Sequence, residues 1–284
     1  GLTEFPTGVL HLTSITSLSA NSNAFTELPL RIGVLSELKY LSIESNKLKT
    51  LPPSIGALTK LVTLSLLKNP MQILPPEVGQ LRLLKTLQVD YNALQVPPKE
   101  VASSGDASRL LKYLRCFVTA KETGELLLDK YGLIVMPPDV LATANVRKIV
   151  LSYNNLRGLP PDFGGLVSLE DLRLDHNRLQ KVVASIGGLA KLKILHLNDN
   201  ELTELPNAIR KLKGLEELLV QNNQLVSLPP GIWTLNALND LQLENNQLRV
   251  PPAVVIAKGT KAIMSYMKVI DSASTSRKID LTSM

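Results

Sequence analysis

Cysteine is nearly missing. The single Cys116 among 284 residues cannot close an intramolecular disulfide, so no disulfide framework holds this chain. None of the 18 asparagines opens an Asn-x-Ser/Thr sequon, and the two absences together favour a reducing, cytoplasmic compartment. Aromatic residues supply only 4% of the chain, too few to build the core. Histidine occurs only at 11, 176 and 196, with no His-Glu-x-x-His, which removes the common zinc-hydrolase arrangements. His176 and His196 fall near Asp171, Asp175 and Asp199, and they read as solvated polar pairs rather than a metal site. No Gly-x-x-x-x-Gly-Lys-Ser/Thr loop is present, so the phosphate cradle of a P-loop nucleotidase is excluded. The charge excess, 31 Lys+Arg against 25 Asp+Glu, is too small and too evenly spread to indicate a nucleic-acid partner. Apolar runs such as Leu126 to Leu128 are far shorter than the ~20 residues of a membrane span. The sequence thus offers no catalytic set, no metal site and no cofactor site.

Leucine is what is abundant, at 56 residues, and it is spaced. Leu38, Leu41, Ile43, Asn46, Leu48, Leu51, Pro52, Ile55 and Leu58 recur 23 positions later as Leu61, Leu64, Leu66, Asn69, Met71, Leu74, Pro75, Val78 and Leu81. The unit opens at Ile15, Leu38, Leu61 and Leu84, then at Thr123, Val146, Leu169, Leu192, Leu215 and Leu238, and once more at Ser276.

The spacing within the unit predicts its local structure. Leu41 and Ile43 alternate with Ser42 as in a short strand that buries one face. The asparagine that follows can bond main-chain groups of its own turn and of the neighbouring turn. Asn23, Asn46, Asn69, Asn92, Asn154, Asn177, Asn200, Asn223 and Asn246 hold this place and form the expected structural ladder. The Leu-Pro step stops the strand, and the Ile-x-x-Leu spacing suits a short helical return. One unit cannot bury its leucines alone; stacked units can, with a parallel sheet on the inside of an arc.

These residues resemble the leucine-rich-repeat superfamily over nearly the whole chain, and the 23-residue Leu-Pro-x-x-Ile form is similar to the repeats of Ras-group scaffolds and Roco proteins. The fold class expected is an α/β leucine-rich-repeat solenoid, a curved horseshoe with its parallel sheet on the concave face. The resemblance implies protein partners in intracellular signalling, with small GTPases, phosphatase subunits or kinase domains as the candidates.

Two segments interrupt the repeat and match each other. Val96-Pro97-Pro98, Gly105 and the stretch Leu110 to Arg115 correspond to Val250-Pro251-Pro252, Gly259 and the stretch Ile263 to Lys268. Proline opening a run of apolar residues at three- and four-residue spacing predicts longer helices near 98–118 and 252–270. A degraded repeat follows each, with Tyr131 or Met284 in place of the asparagine, Arg277, Lys278 and Asp280 on its strand, and Ile279 and Leu281 as its apolar pair. The sequence therefore divides into module one, 1–131, and module two, 132–284, and reads as a fragment of a longer array.

The open face of the strands is where side chains are free to act. In module two, Glu170, Asp171, Asp175, Asp199, Glu216, Glu217, Asp240 and Glu244 are opposed only by Arg173 and Lys193 over four repeats, an acidic patch fit to steer a basic partner. In module one, Ser19, Ser42 and Ser65 stack in a column beside Tyr40 and Tyr91, and Tyr153 continues the aromatic edge in module two, a surface suited to a polypeptide. Trp233 is placed on the outer return and Tyr113 and Tyr266 in the two helices, all read as packing groups. The expected function is a non-catalytic scaffold that docks proteins on its concave face. The alternatives are a structural part of a cytoskeletal or ciliary assembly, and a regulatory segment of a larger GTPase or kinase protein.

Overall fold

The computed structural model describes residues 1–103, 106–143 and 145–276, with the backbone alone at 274–276. Gly105 and the stretch carrying Arg277, Lys278, Ile279, Asp280, Leu281 and Met284 lie outside the described residues. The chain forms two compact units, Gly1–Glu122 and Thr123–Met284.

The first unit stacks four parallel strands, β1 (Ser17–Ser19), β2 (Tyr40–Ser42), β3 (Thr63–Ser65) and β4 (Thr86–Gln88). The second stacks six, β5 (Glu125–Leu127), β6 (Lys148–Val150), β7 (Asp171–Arg173), β8 (Ile194–His196), β9 (Glu217–Leu219) and β10 (Asp240–Gln242). The register follows the sequence period, so Leu41 lies beside Leu64 and Leu172 beside Leu195. The alternating apolar residues of the inner strand segments point into the core: Leu41, Ile43, Leu172 and Leu174 are fully buried. Each buried leucine side chain stabilises by roughly 1.5–3 kcal/mol, and only the neighbouring repeat makes that burial complete.

The returns are 3-10 helices, such as Pro53–Ala57, Pro76–Gln80 and Ala184–Gly188. Pro52 sets an extended entry (ψ 148°) and Pro53 opens the turn, where its missing N–H costs nothing. Successive returns approach closely where a glycine stands. A Cβ on Gly164 would lie 1.9 Å from the Ser185 carbonyl oxygen, a backbone atom with little room to yield.

Each expected long helix is two. Pro98 precedes a single turn, α1 (Lys99–Ala102), and then comes α2 (Ala107–Thr123); Pro252 precedes α4 (Ala253–Ile256), and α5 follows (Thr260–Ser276). Between them lies α3 (Asp139–Ala142) on a return of the second unit. The break before α5 is Gly259, whose φ of +84° no helix interior tolerates. Both junctions carry a cis peptide, Val96–Pro97 and Val250–Pro251. α2 buries Leu110, Tyr113, Leu114 and Phe117, with the two rings edge-on at 5.3 Å. α5 buries Ile263 and Met267, and its Thr260 Oγ1 accepts the Leu241 N–H at 3.0 Å.

The asparagine ladder has one geometry at seven of its nine places. Asn177 Nδ2 donates to Leu151 O of the preceding repeat (2.9 Å) and to Leu174 O (3.0 Å), while its Oδ1 accepts the Leu156 N–H (3.0 Å). Asn46, Asn69, Asn154, Asn200, Asn223 and Asn246 repeat the pattern, and Asn23 does so in part, through Leu2 N–H. Asn92 departs from it. It is exposed within the 3-10 turn Tyr91–Ala93, and the ladder geometry expected of it is not formed. The cause is the residue before it. In the other repeats that residue takes a left-handed φ, as at Lys68 (+55°) and His176 (+52°), which turns the asparagine inward; Tyr91 does not. Tyr131 breaks the sequence of the ladder but not its continuity, because Asn154 still reaches Leu128 O and the Leu133 N–H.

Candidate functional site

The exposed face of β5 to β10 carries the acidic residues named from the sequence, and their surroundings divide them. Asp171 on β7 meets Lys148 on β6 at 3.3 Å and Arg173 on its own strand at 3.1 Å. That bond holds the Arg173 guanidinium above its ordinary pKa, despite partial burial. Glu170 pairs with Lys193 at 2.7 Å, which holds its carboxyl below, and the lysine above, the usual range. Asp175 accepts the Ser152 hydroxyl at 2.6 Å. Around β6 to β8 the acids are therefore largely neutralised from within.

The other end of the same face is different. Glu217 on β9 bonds His196 on β8 at 2.7 Å, and Glu216, Asp240 and Glu244 have no ion pair among the described residues. The eight acids do not act as one uniform patch: the uncompensated charge lies on β9 and β10. The register explains the split, since Lys148 stands directly opposite Asp171 and lies one repeat outside the window that the sequence balance counted.

A continuous line of side chains borders this face at the left-handed position. Lys130 Nζ lies 5.2 Å from the Tyr153 ring centre, and Tyr153 stacks on His176 at 4.2 Å and 18°. His176 reaches Asp199 (3.5 Å), Asp199 accepts from Asn222 (2.8 Å), and Asn222 accepts from Asn245 (2.7 Å). Tyr153 is an exposed aromatic held flat from both sides, the kind of amphipathic surface that partners anchor on.

The first unit corrects the hydroxyl surface expected there. Ser42 and Ser65 expose 0% and 1% of their area. Ser42 donates to Asn21 Oδ1 at 2.8 Å, and Ser65 bonds Glu44 and Gln88. The longer polar side chains of adjacent repeats close over the serines, so this column joins strands rather than meeting a partner; Ser19, on the end strand, remains exposed. Tyr40 keeps 40% exposure. Tyr91 is half-buried, its hydroxyl donates to Leu87 O at 2.9 Å, and burial raises its pKa. The surface residues that composition missed are these covers, Asn21, Glu44 and Gln88. Their spacing of one repeat from the serines was the available signal.

Among the described residues no group of three or more His, Cys, Asp or Glu is placed to hold a metal ion. Nor is any described helix long and apolar enough to cross a membrane.

Family models described as leucine rich repeat match residues 124–179, 37–58 and 191–212, and the unmatched repeats continue the same register and ladder. The chain is a leucine-rich-repeat protein. Among curated protein sequences nothing matches it. Of the solved structures, the leucine-rich-repeat protein LIC12759 of Leptospira interrogans is 30% identical, with 90% of this chain and 67% of that one covered and a TM-score of 0.49. The plant peptide hormone receptor RGFR1, in complex with RGF2, is 21% identical over 87% of this chain and 46% of its own, at a TM-score of 0.42. The repeat ectodomain of the membrane receptor kinase GASSHO1/SCHENGEN3 from Arabidopsis thaliana is 24% identical over 87% of this chain and 32% of its own, at a TM-score of 0.32. The chain spans less than half of either receptor. The expected cytoplasmic location is corrected here. An ectodomain of a membrane receptor is among the structures the array is similar to, so a lone cysteine and missing sequons do not assign this repeat type to the cytoplasm.

Proposed function

We propose that this leucine-rich-repeat chain is a non-catalytic interaction scaffold, and that the face of β9 and β10 docks a basic segment of a protein partner. The observation that carries this reading is the run of carboxylates at Glu216, Glu217, Asp240 and Glu244, of which only Glu217 has an ion-pair partner among the described residues, and that is a histidine. Such a surface speeds encounter with a cation-rich segment and repels acidic ones. Tyr153, flanked by Lys130 and His176, supplies an anchor further along the same unit. Tyr40 and Ser19 are the remaining exposed members of the surface read on the first unit. The peptide hormone receptor RGFR1, which the repeats resemble, is seen in complex with RGF2, and this favours a polypeptide as the kind of ligand. At the finer level, the Leu-Pro-x-x-Ile repeat resembles those of Ras-group and Roco scaffolds, and small GTPases, phosphatase subunits and kinase domains are the partner classes that resemblance suggests. The two-module division at 131/132 belongs to the same reading.

The test is a triple reversal, Glu216→Lys, Glu217→Lys and Asp240→Lys, compared with the parent chain in capture of partners from the source cells. Partners retained by the parent and lost by the variant, with unchanged circular dichroism, support the reading. Identical partner sets for both would sink it.

A further inference from the structure

The residue after the opening position of each repeat forms a row along one edge of the sheet, joined from repeat to repeat by main-chain bonds. In the second unit the row runs Arg147, Glu170, Lys193: the Glu170 N–H donates to Arg147 O at 2.7 Å, and the Lys193 N–H to Glu170 O at 2.8 Å. Here the side chains pair among themselves, with Lys193 reaching the Glu170 carboxylate at 2.7 Å. In the first unit the same row runs Lys39, Val62, Lys85. The Val62 N–H donates to Lys39 O at 2.8 Å, and the Lys85 N–H to Val62 O at 2.9 Å. Two cations again flank one residue, but that residue is a valine. The first unit lacks the anion that the second carries in its own row.

No neighbouring acid takes its place. Lys39 and Lys85 are exposed and have no ion pair among the described residues. Glu37 is engaged by Lys60 at 2.7 Å. Glu44 and Asp90 follow the two lysines at the far end of their strands, up to about 16 Å away at ~3.3 Å per residue. That exceeds the ~8 Å over which exposed charges act at physiological ionic strength. Glu44 accepts from the Ser65 hydroxyl, and Asp90 accepts the Lys68 N–H at 2.9 Å. Beside the row, Tyr40, Thr63 and Thr86 stand next to one another in register, and among the described residues their hydroxyls have no hydrogen-bond partner. The half-buried Val62 gives the lysine stems an apolar floor. The bond between Lys193 and Glu170 measures the reach, since Lys85 bears the same relation to Val62.

We propose that the strand face of the first unit binds a phosphorylated serine of a polypeptide partner, its phosphate lying over Val62 between Lys39 and Lys85. The phosphate then occupies the place where the second unit puts the Glu170 carboxylate. Charge and donor number favour phosphate over a carboxylate. Two ammonium groups match its charge of about −1.5 to −2 near pH 7, and its three acceptor oxygens can also use the Thr63 and Thr86 hydroxyls. A polypeptide is the source that fits an open row of strands, where Tyr40, 40% exposed, stands beside the site to meet a flanking residue. This site lies within the first unit and does not rest on docking at β9 and β10.

The experiment is a titration of the isotopically labelled chain, followed by amide chemical shifts, with the blocked peptide Ala-Ala-phosphoserine-Ala-Ala. The same peptide with serine or glutamate at its centre, and inorganic phosphate alone, are titrated beside it. Saturable shifts at Lys39, Val62, Thr63 and Lys85 are expected with the phosphopeptide, with affinity roughly fivefold lower for the glutamate peptide and no binding of the serine peptide. Inorganic phosphate should shift the same amides at lower affinity. Val62→Glu, which restores the anion of the second unit's row, should weaken phosphopeptide binding roughly tenfold. Lys85→Met, an exposed substitution, should weaken it roughly fivefold with circular dichroism unchanged, whereas Lys49→Met, which removes the same charge outside the row, should not. Glutamate binding as tight as phosphoserine, inorganic phosphate binding as tight as the phosphopeptide, scattered or unsaturable shifts, or binding unchanged in Lys85→Met would each overturn the proposal.

Discussion

Asn177 Oδ1 accepts the main-chain N–H of Leu156, 21 residues earlier, at 3.0 Å inside the core. Removing that amide strands the Leu156 N–H away from water, while the Leu151 carbonyl keeps the bond from Asn154 Nδ2 at 2.8 Å. Asn177→Ala should therefore cost about 1–3 kcal/mol, the penalty of one buried donor left unpaired. Asn92→Ala, the same substitution at the same repeat position, should stay within about 0.5 kcal/mol because Asn92 is exposed. Urea denaturation of the two variants checks both values, and equal losses would refute the ladder account.

Gly164 and Gly165 are neighbours with opposite surroundings. A Cβ at the first meets the Ser185 carbonyl oxygen at 1.9 Å, and at the second meets nothing within 4 Å. Gly164→Ala should destabilise by about 1–3 kcal/mol through overpacking, and Gly165→Ala should be neutral or slightly stabilising. Thermal unfolding of each alone reads the difference.

Asp139 opens α3 half-buried, and desolvation holds its carboxyl above the ordinary aspartate range. A folded-state pKa raised in this way contributes stability at low pH that is lost as pH rises through the folded value. Asp139→Asn should then unfold at a higher temperature than the parent at pH 7, with the gap closing toward pH 3. A gap that widens on acidification would contradict this sign.

Glu170 titrates low because Lys193 bonds it across adjacent strands. Lys193→Met should return the Glu170 carboxyl toward its ordinary range, seen by carbon-detected titration of its side chain. Stability should hardly change, since both groups face solvent and exposed pairs contribute little.

Much of this architecture can be read from residue spacing because the period does the physical selection. The 23-residue return of Leu, Leu and Asn determines which strands pair, in what register, and which amides turn inward. Two kinds of feature escaped that reading. Ser42 and Ser65 occupy outward-facing places, yet the reach of Asn21, Glu44 and Gln88 from adjacent repeats covers them. Asn92 satisfies the consensus, but Tyr91 before it does not take the left-handed conformation that aims the asparagine inward in the other repeats, Tyr153 among them. Periodicity reports which way a position faces. It does not report what a neighbour's longer side chain does above it, nor a backbone choice made one residue earlier.

The ladder also has a polarity. Each asparagine reaches back to the repeat before it, so Asn246 clamps Val220 and Leu225, and Asn223 clamps Leu197 and Leu202. Under tension applied at the far end of the second unit, the last repeat can peel away only by breaking its own amide contacts, and the repeat beneath keeps its own intact. Each such step frees 23 residues, about 80 Å of contour. The unit is in this sense a ratchet of equal links, paying out in even lengths under load rather than giving way at once.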